Sequence, residues 1–267
     1  MKKILIPTKL DKVAQEILKA NGNYEVFQDD GGDVGVLAAK HPDAYALIVR
    51  SEAVTAEIMD TLPKLKVVIR AGAGYNTIDV KGARKRGIDV MNTPGANSNG
   101  VAEEVIAFML ADARHLIKAD ASCRAGEWEK KAFMGREIAG KVVGIVGLGN
   151  IGRLVAKRLS GFGCKFLGYD PLISPERAAE MDVELVDLET LFIKSDYVSL
   201  HIPETPETKK LVGAKLLGMM KKGATIVNCA RAGVIDEDAL RALKAEKGLR
   251  FLNDVYPKDE PGPKSIA

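Results

Sequence analysis

The sequence has few cysteines and no long apolar run, and each shortage argues against a class of protein. Its three cysteines, Cys123, Cys164 and Cys229, are an odd number and form no Cys-x-x-Cys pair. This argues against a disulfide framework and a zinc site, and it favours a reducing, cytoplasmic location with no bound metal. The first apolar stretch, ILIP, is too short for a signal peptide, and no run approaches the roughly 20 residues of a membrane-spanning helix. We therefore expect no membrane insertion.

The sequence also has almost no surplus of charge. Lysine and arginine number 39 against 36 aspartates and glutamates, and the net charge of +3 is too small and dispersed for a nucleic-acid-binding surface. Any anion that the protein binds should therefore be small. Hydrophobic residues make up 46% of the 267 residues, which is enough for a sizeable core, and this length suits two domains.

Short strand-like runs alternate with helical patterns along the chain, as in parallel sheets covered by crossover helices. The first series has candidate strands at residues 3–6, 24–27, 46–49, 66–69 and 89–91. The second has them at residues 142–146, 165–169, 183–186, 197–202, 225–230 and 249–255. A loop over 92–100 and one long helix over 101–120 separate the two series, so we expect the domain junction near residue 94. The pattern predicts an α/β protein with two doubly wound parallel sheets.

A glycine-rich turn, GLGNIG at residues 147–152, lies between a predicted strand and a predicted helix. In this context Gly147 would permit the tight turn, Gly149 would let the backbone approach a pyrophosphate, and Gly152 would let the helix pack on the strand. The free N–H groups at the helix N-terminus would bind the phosphates. Asp170 follows Gly152 by 18 residues, where an acid can bind the ribose hydroxyls and repel a 2′-phosphate. The turn therefore predicts NAD rather than NADP as cofactor, and the alternative is an ordinary strand-to-helix turn.

Several separate stretches make the sequence resemble the D-isomer-specific 2-hydroxyacid dehydrogenases over almost its whole length. They are RAGAGYNTIDV, NTPGANSNGVAEEVIAFML, GKVVGIVGLGNIG, LHIPETPETKKLVG, NCARAGVIDEDAL and NDVYPKDEP. The resemblance implies two Rossmann-like domains, with the cofactor domain inserted into the substrate domain and the active site between them. It assigns residues 1–93 to the substrate domain, 94–260 to the NAD-binding domain and 261–267 to the start of a return segment. It further implies hydride transfer between nicotinamide and C2 of a small 2-hydroxy or 2-keto acid.

The resemblance also implies two catalytic residues in this chain. Arg231 matches the family's arginine, which holds the substrate carboxylate, and a guanidinium suits that role because its planar fork pairs with a carboxylate. The following residue, Ala232, departs from the family's usual glycine. Glu260 matches the glutamate that orients the catalytic histidine, although KDEPGPK can also be read as a solvated charged segment.

The remaining site residues follow from the same resemblance. The cofactor-binding set adds Asn150, Ile151, His201, Pro203, Cys229, Ala230 and Asp254 to the turn and Asp170. LHIP matches a motif on the adenine side, Asp254 matches the aspartate that contacts the nicotinamide carboxamide, and Cys229 also reads as a packing residue. The substrate set is Arg50, Ser51, Ala73 and Gly74, whose alternative interpretation is ordinary strand-to-helix turns.

The family's histidine, the general acid/base, has no counterpart in the sequence. Seven residues follow Glu260 and none is a histidine, and none of His41, His115 and His201 occupies the family's position. Three hypotheses follow: a shortened form of a longer dehydrogenase, a catalytically silent NAD-binding protein, or an enzyme whose acid/base comes from elsewhere, including a neighbouring subunit. The helix near 101–118 and the segment of Trp128 form a dimer interface in the family, so we also expect a homodimer.

Overall fold

The computed structural model describes residues 1–256, which divide into two compact units. The first unit is Met1–Asn97 and the second begins at Ser98. We expected the junction between residues 93 and 94, four residues earlier (97 − 93). The long helix accounts for the difference, because it begins at Ser98 rather than at residue 101.

The first unit is a five-stranded parallel sheet with a helix after each of its first four strands. Its strands are β1 (Lys2–Ile6), β2 (Tyr24–Gln28), β3 (Ala46–Val49), β4 (Val67–Arg70) and β5 (Asp89–Asn92). Its helices are α1 (Lys12–Ala20), α2 (Val34–Lys40), α3 (Ala56–Asp60) and α4 (Val80–Lys85). The strand order is β2-β1-β3-β4-β5, which is a doubly wound order.

The second unit is a six-stranded parallel sheet preceded by two helices, α5 (Ser98–Arg114) and α6 (Leu116–Arg124). Its strands are β6 (Val142–Val146), β7 (Lys165–Tyr169), β8 (Val183–Leu185), β9 (Tyr197–Leu200), β10 (Thr225–Asn228) and β11 (Arg250–Asn253). Its remaining helices are α7 (Asn150–Leu159), α8 (Pro175–Ala179), α9 (Leu188–Lys194), α10 (Ala214–Met219) and α11 (Glu237–Lys247). The strand order is β11-β10-β9-β6-β7-β8, the order of a dinucleotide-binding sheet, so the predicted fold class is confirmed.

Each sheet buries both of its faces. In β6, Val143 and Ile145 belong to one buried cluster and Val146 to another, because neighbouring side chains of a strand point to opposite faces. In β1, Leu5 lies in a cluster of fifteen buried residues, whereas Ile4 lies in a cluster of four. The helices of both units supply the covering layers, and aspartate side chains cap several of their N-termini, as Asp187 does for α9.

Three of the predicted strands, β9, β10 and β11, end two residues earlier than expected, and the early ends of the first two affect the site. Strands β9 and β10 stop at Leu200 and Asn228, two residues before the predicted ends at 202 and 230. His201 and Cys229 are therefore loop residues at the carboxyl edge of the sheet.

The prediction of one helix over residues 101–120 is wrong. His115 has a left-handed backbone conformation, with φ 53°, and divides the segment into α5 and α6. No helix of the described residues is long and apolar enough to cross a membrane.

Candidate functional site

The turn after β6 has the geometry that the GLGNIG pattern predicts. Gly147 has φ +94°, a left-handed conformation, and a Cβ there would lie 2.7 Å from the carbonyl oxygen of His201. A Cβ at Gly152 would lie 2.0 Å from the carbonyl oxygen of Gly147, so the start of α7 packs directly on the turn. A Cβ at Gly149 would have no atom within 4 Å beyond its chain neighbours in the described part of the protein. Gly149 therefore leaves room on the outer side of the turn.

The N-terminus of α7 faces that room without a side-chain cap. Gly149 is the N-cap residue and makes no capping hydrogen bond, so the first N–H groups of the helix are available to an anion. Asn150 and Ile151 form the first turn of α7, and the Asn150 side chain hydrogen-bonds to Arg153. The space beside Gly149 and these N–H groups fit a dinucleotide phosphate.

Asp170 lies next to the glycine turn, immediately after β7. Its Oδ2 accepts a hydrogen bond from the Leu148 N–H at 2.8 Å, and its Oδ1 accepts one from the Leu172 N–H at 2.9 Å. These two bonds fix the carboxylate beside the turn and leave lone pairs for further donors. This placement suits contact with a ribose.

His201 lies on the other side of the turn, after β9. The sheet reverses its strand order between β6 and β9, and open sheets bind ligands at such a switch point. The His201 Nε2 lies 2.8 Å from the Ser199 hydroxyl, while its Nδ1 is buried and has no hydrogen-bond partner among the described residues. Burial lowers the pKa of His201 to about 4, so the ring is neutral at neutral pH. Pro203 is exposed two residues further on, and its carbonyl accepts a hydrogen bond from Thr208.

Arg231 lies in a loop after β10 that is held by Asn228. The Asn228 side chain accepts from the Ala230 N–H at 3.1 Å and donates to the Arg231 carbonyl at 3.0 Å. The guanidinium of Arg231 donates to the Ala230 carbonyl at 2.6 Å. Ala232 does not have a positive φ, so the loop accommodates alanine where the family usually has glycine.

Three side chains from separate elements meet beyond β10 and β11. The side-chain ligand atoms of Glu104 on α5, Cys229 and Asp254 lie within 4.8 Å of one another. Burial, and then the nearby Asp254 charge, raises the pKa of Glu104, and burial raises the pKa of Asp254. Burial followed by the two carboxylates raises the pKa of the Cys229 thiol, so this sulfur is not a nucleophile at neutral pH.

The predicted substrate residues form two loops in the first unit. Arg50 and Ser51 follow β3, and their backbone N–H groups both donate to Oε2 of Glu52, at 2.7 and 3.1 Å. Ala73 and Gly74 follow β4, and the Ala73 carbonyl accepts from the Asn92 side chain at 2.7 Å. Both loops lie at the carboxyl edge of the first sheet.

The predicted residues of the second unit that are described thus lie together at one edge of its sheet, after β6, β7, β9, β10 and β11. Glu260 lies outside the described residues. Sequence reasoning missed Glu52, Glu104 and Asn228. Asn228 begins the quoted stretch NCARAG and could have been found there, whereas only the folded chain brings Glu104 to Asp254.

Comparison with known proteins identifies the family of this chain. Residues 106–266 match the family model of the D-isomer specific 2-hydroxyacid dehydrogenase NAD binding domain. The chain belongs to this family. The predicted recognition is therefore confirmed.

Curated relatives within the family include D-3-phosphoglycerate dehydrogenases. That of Mycobacterium leprae is 46% identical over 86% of this chain and 44% of its own length. That of Methanocaldococcus jannaschii is 45% identical over 98% of this chain and 51% of its own length. The chain spans about half the length of the curated relatives it matches.

Solved structures similar to this chain have the same fold. The TT0316 protein of Thermus thermophilus gives a TM-score of 0.88 at 31% identity, covering 98% of this chain and 85% of that one. The NAD⁺-bound 3-phosphoglycerate dehydrogenase of Entamoeba histolytica gives 0.79 at 32% identity, covering 97% and 81%.

Proposed function

We propose that this chain binds NAD and takes part in hydride transfer between the nicotinamide and C2 of a D-2-hydroxy acid, with 3-phosphoglycerate as substrate. The turn after β6 carries the proposal, because Gly149 leaves open space between a helix N-terminus and Asp170. Membership of the family supports the cofactor and the reaction, and similarity to D-3-phosphoglycerate dehydrogenases supports the substrate.

In this proposal the edge of the second sheet holds the whole cofactor. The α7 N-terminus binds the pyrophosphate, Asp170 accepts from the ribose hydroxyls and repels a 2′-phosphate, and His201 and Pro203 border the adenine. Cys229, Ala230 and Asp254 border the nicotinamide. NAD supplies the hydride acceptor, and these residues bind it and orient it.

Arg231 is the proposed catalytic residue within the described part of the chain. Its permanent positive charge pairs with the substrate carboxylate and polarises the oxygen on C2, and Asn228 fixes the loop from which it extends. When the hydroxy acid is oxidised, C2 gives up a hydride and the hydroxyl gives up a proton. That proton requires a base.

The surroundings of the three histidines favour a second candidate, an NAD-binding protein without catalysis of its own. His201 is neutral and hydrogen-bonded to Ser199, and His41 stacks on Phe27 with ring centroids 3.9 Å apart. His115 adjoins Asp112, whose carboxylate contacts the first residue of β11, Arg250, at 3.1 Å. His115 therefore belongs to the edge of the sheet opposite Arg231, and none of the three is placed as a base.

The proposal includes a homodimer and a reducing compartment. The helix α6 and the segment after it expose four large apolar side chains, Leu116, Ile117, Trp128 and Met134. Burial in a second subunit would remove this surface from water. The three free cysteines are compatible with a cytoplasmic location.

The decisive test is oxidation of NADH by the full chain with 3-phosphohydroxypyruvate, glyoxylate and pyruvate. We expect turnover with the phosphorylated keto acid, and we expect Arg231→Ala to lower kcat/KM by about a thousandfold through loss of the proposed charge pair with the substrate carboxylate. Arg177→Ala, on exposed α8, is the matched control and should leave kcat/KM unchanged. Absence of turnover with intact NADH binding would establish the second candidate, and absence of NADH binding would overturn both.

A further inference from the structure

The carboxylate of Glu52 occupies a pair of backbone donors in the first unit. Its Oε2 accepts hydrogen bonds from the N–H groups of Arg50 and Ser51, at 2.7 and 3.1 Å. Two converging N–H groups form a small anion site, and hydrogen bonds to a charged acceptor are stronger than neutral ones. The observed occupant of this site is therefore a carboxylate of the protein itself.

The topology of the first sheet independently marks the same place. The chain passes from β1 to β2 on one side and then returns to β3 on the other side of β1. The crevice between the carboxyl ends of β1 and β3 is thus the switch point, where open α/β sheets bind ligands. Arg50 and Ser51 directly follow β3, and buried Thr8 lies two residues after β1.

Glu52 is charged in this position. Burial raises its pKa, but the hydrogen bonds from the Arg50, Glu52 and Ser51 N–H groups and the Thr8 hydroxyl together outweigh burial and hold the pKa of Glu52 below its usual value. The side chain therefore competes for the site as an anion at neutral pH.

The donor pair has a support that does not depend on Glu52. The Arg70 guanidinium, at the end of β4, donates from Nε to the Arg50 carbonyl at 2.8 Å, and β4 pairs with β3 in register from Ala46 to Val49. This bond fixes the loop from the side opposite the donors. The two N–H groups can therefore stay in place when Glu52 leaves.

We propose that Glu52 is an intramolecular competitor for the anion site after β3, and that an anionic group of the substrate must displace it to bind. The inference rests on the proposed function for the identity of the substrate. When a side chain of the protein fills the site most of the time, an external anion binds more weakly, because the apparent affinity is multiplied by the fraction of the time that the site is empty. Glu52 thereby sets the affinity for the substrate anion and rejects ligands too weakly charged to displace it.

The test is anion binding by the ¹⁵N-labelled full chain, followed through the backbone N–H signals of Arg50 and Ser51. The probes are D-glycerate, which has a carboxylate only, and D-3-phosphoglycerate, which has a phosphate as well. Each probe is added together with NADH. The hydroxy acid and NADH are both in the reduced form, so no hydride can pass between them and the complex cannot turn over. Glu52→Gln keeps an oxygen that can accept the two hydrogen bonds but removes the charge. Glu57→Gln, an exposed acid on neighbouring α3, is the matched control.

We expect Glu52→Gln to lower the Kd about tenfold, as for a competitor that fills the site nine-tenths of the time, while Glu57→Gln leaves it unchanged. A gain for both probes identifies the displacing group as the carboxylate, and a gain for D-3-phosphoglycerate alone identifies the phosphate. Equal Kd values for wild type and Glu52→Gln would overturn the inference, as would N–H signals that no probe shifts. The dehydrogenase assay is separate, so tighter binding without turnover would refute the proposed function alone, and turnover with unchanged Kd would refute only the role of Glu52.

Discussion

At the residue scale, Gly149 and Gly152 are glycines for different reasons. A Cβ at Gly152 would lie 2.0 Å from the Gly147 carbonyl oxygen, so packing within the protein itself requires glycine at this position. At Gly149 a Cβ would contact nothing beyond its chain neighbours among the described residues, and φ is −70°, which suits any residue. Because the protein itself does not require glycine there, the requirement is expected to come from a ligand that approaches the backbone.

This difference predicts opposite phenotypes for two alanine substitutions. Gly152→Ala should lower the free energy of unfolding by about 2 kcal/mol, because the clash is with backbone and the start of α7 must shift. Gly149→Ala should cost less than about 1 kcal/mol, the ordinary penalty of alanine at an N-cap, yet weaken NADH binding at least about tenfold. Guanidinium unfolding and titration of NADH fluorescence would measure the two effects. Unchanged NADH affinity in Gly149→Ala would remove the pyrophosphate from this turn.

The site residues that could be predicted from the sequence are those marked by a pattern of neighbouring residues along the chain. The glycines and Asp170 are recognisable because a strand, a turn and a helix N-terminus follow each other in fixed order. Glu104 was missed because it lies 150 residues before Asp254 (254 − 104), and only the fold brings the two carboxyl groups together. Glu52 was missed for another reason, since its role depends on the orientation of two N–H groups, which no residue type encodes.

At the element scale, the strands were predictable and the long helix was not. Strands such as β3, with four buried residues, show as short apolar runs bounded by turns. The apolar pattern of residues 101–120 continues through His115, but the helix does not. The Ala113 carbonyl, which a continuous helix would pair with the Ile117 N–H, instead accepts from the Arg136 N–H at 2.8 Å. A contact across 23 residues (136 − 113) therefore ends α5, and periodicity cannot reveal such a contact.

The left-handed conformation of His115 leads to a prediction about this break. His115→Gly should raise the free energy of unfolding by up to about 1 kcal/mol, because glycine adopts φ 53° without the strain of a Cβ. The greater conformational freedom of glycine in the unfolded chain offsets part of this gain. Ala121→Gly, at an exposed position inside α6, is the control and should cost about 1 kcal/mol. Chemical denaturation of both variants would compare them. Equal destabilisation would mean that residue 115 is helical in solution and that the segment is one helix.

At the scale of the whole molecule, the two units have separate interiors. The buried clusters that contain Leu5 and Ile4 consist only of residues of the first unit, and those that contain Val143 and Val146 consist only of residues of the second. The proposed cofactor residues all belong to the second unit. The proposed substrate residues Arg50, Ser51, Ala73 and Gly74 belong to the first unit, and Arg231, which is proposed to pair with the substrate carboxylate, belongs to the second. Only the proposed cofactor site is therefore confined to one unit.

This division predicts that NADH stabilises one unit selectively. A ligand at a hundred times its Kd stabilises the state that binds it by about 2.7 kcal/mol, which slows exchange through unfolding about a hundredfold. We expect hydrogen exchange at Val143 and Ile145, in the centre of β6, to slow by that factor with NADH, while exchange at Leu5 and Leu47 of the first sheet stays as in the free protein. At the same NADH concentration the Gly149→Ala variant, whose Kd is expected to be about tenfold higher, should show slowing of only about tenfold. Equal slowing in both sheets would mean that the units unfold together, and the stability of the substrate loops would then depend on cofactor bound to the other unit.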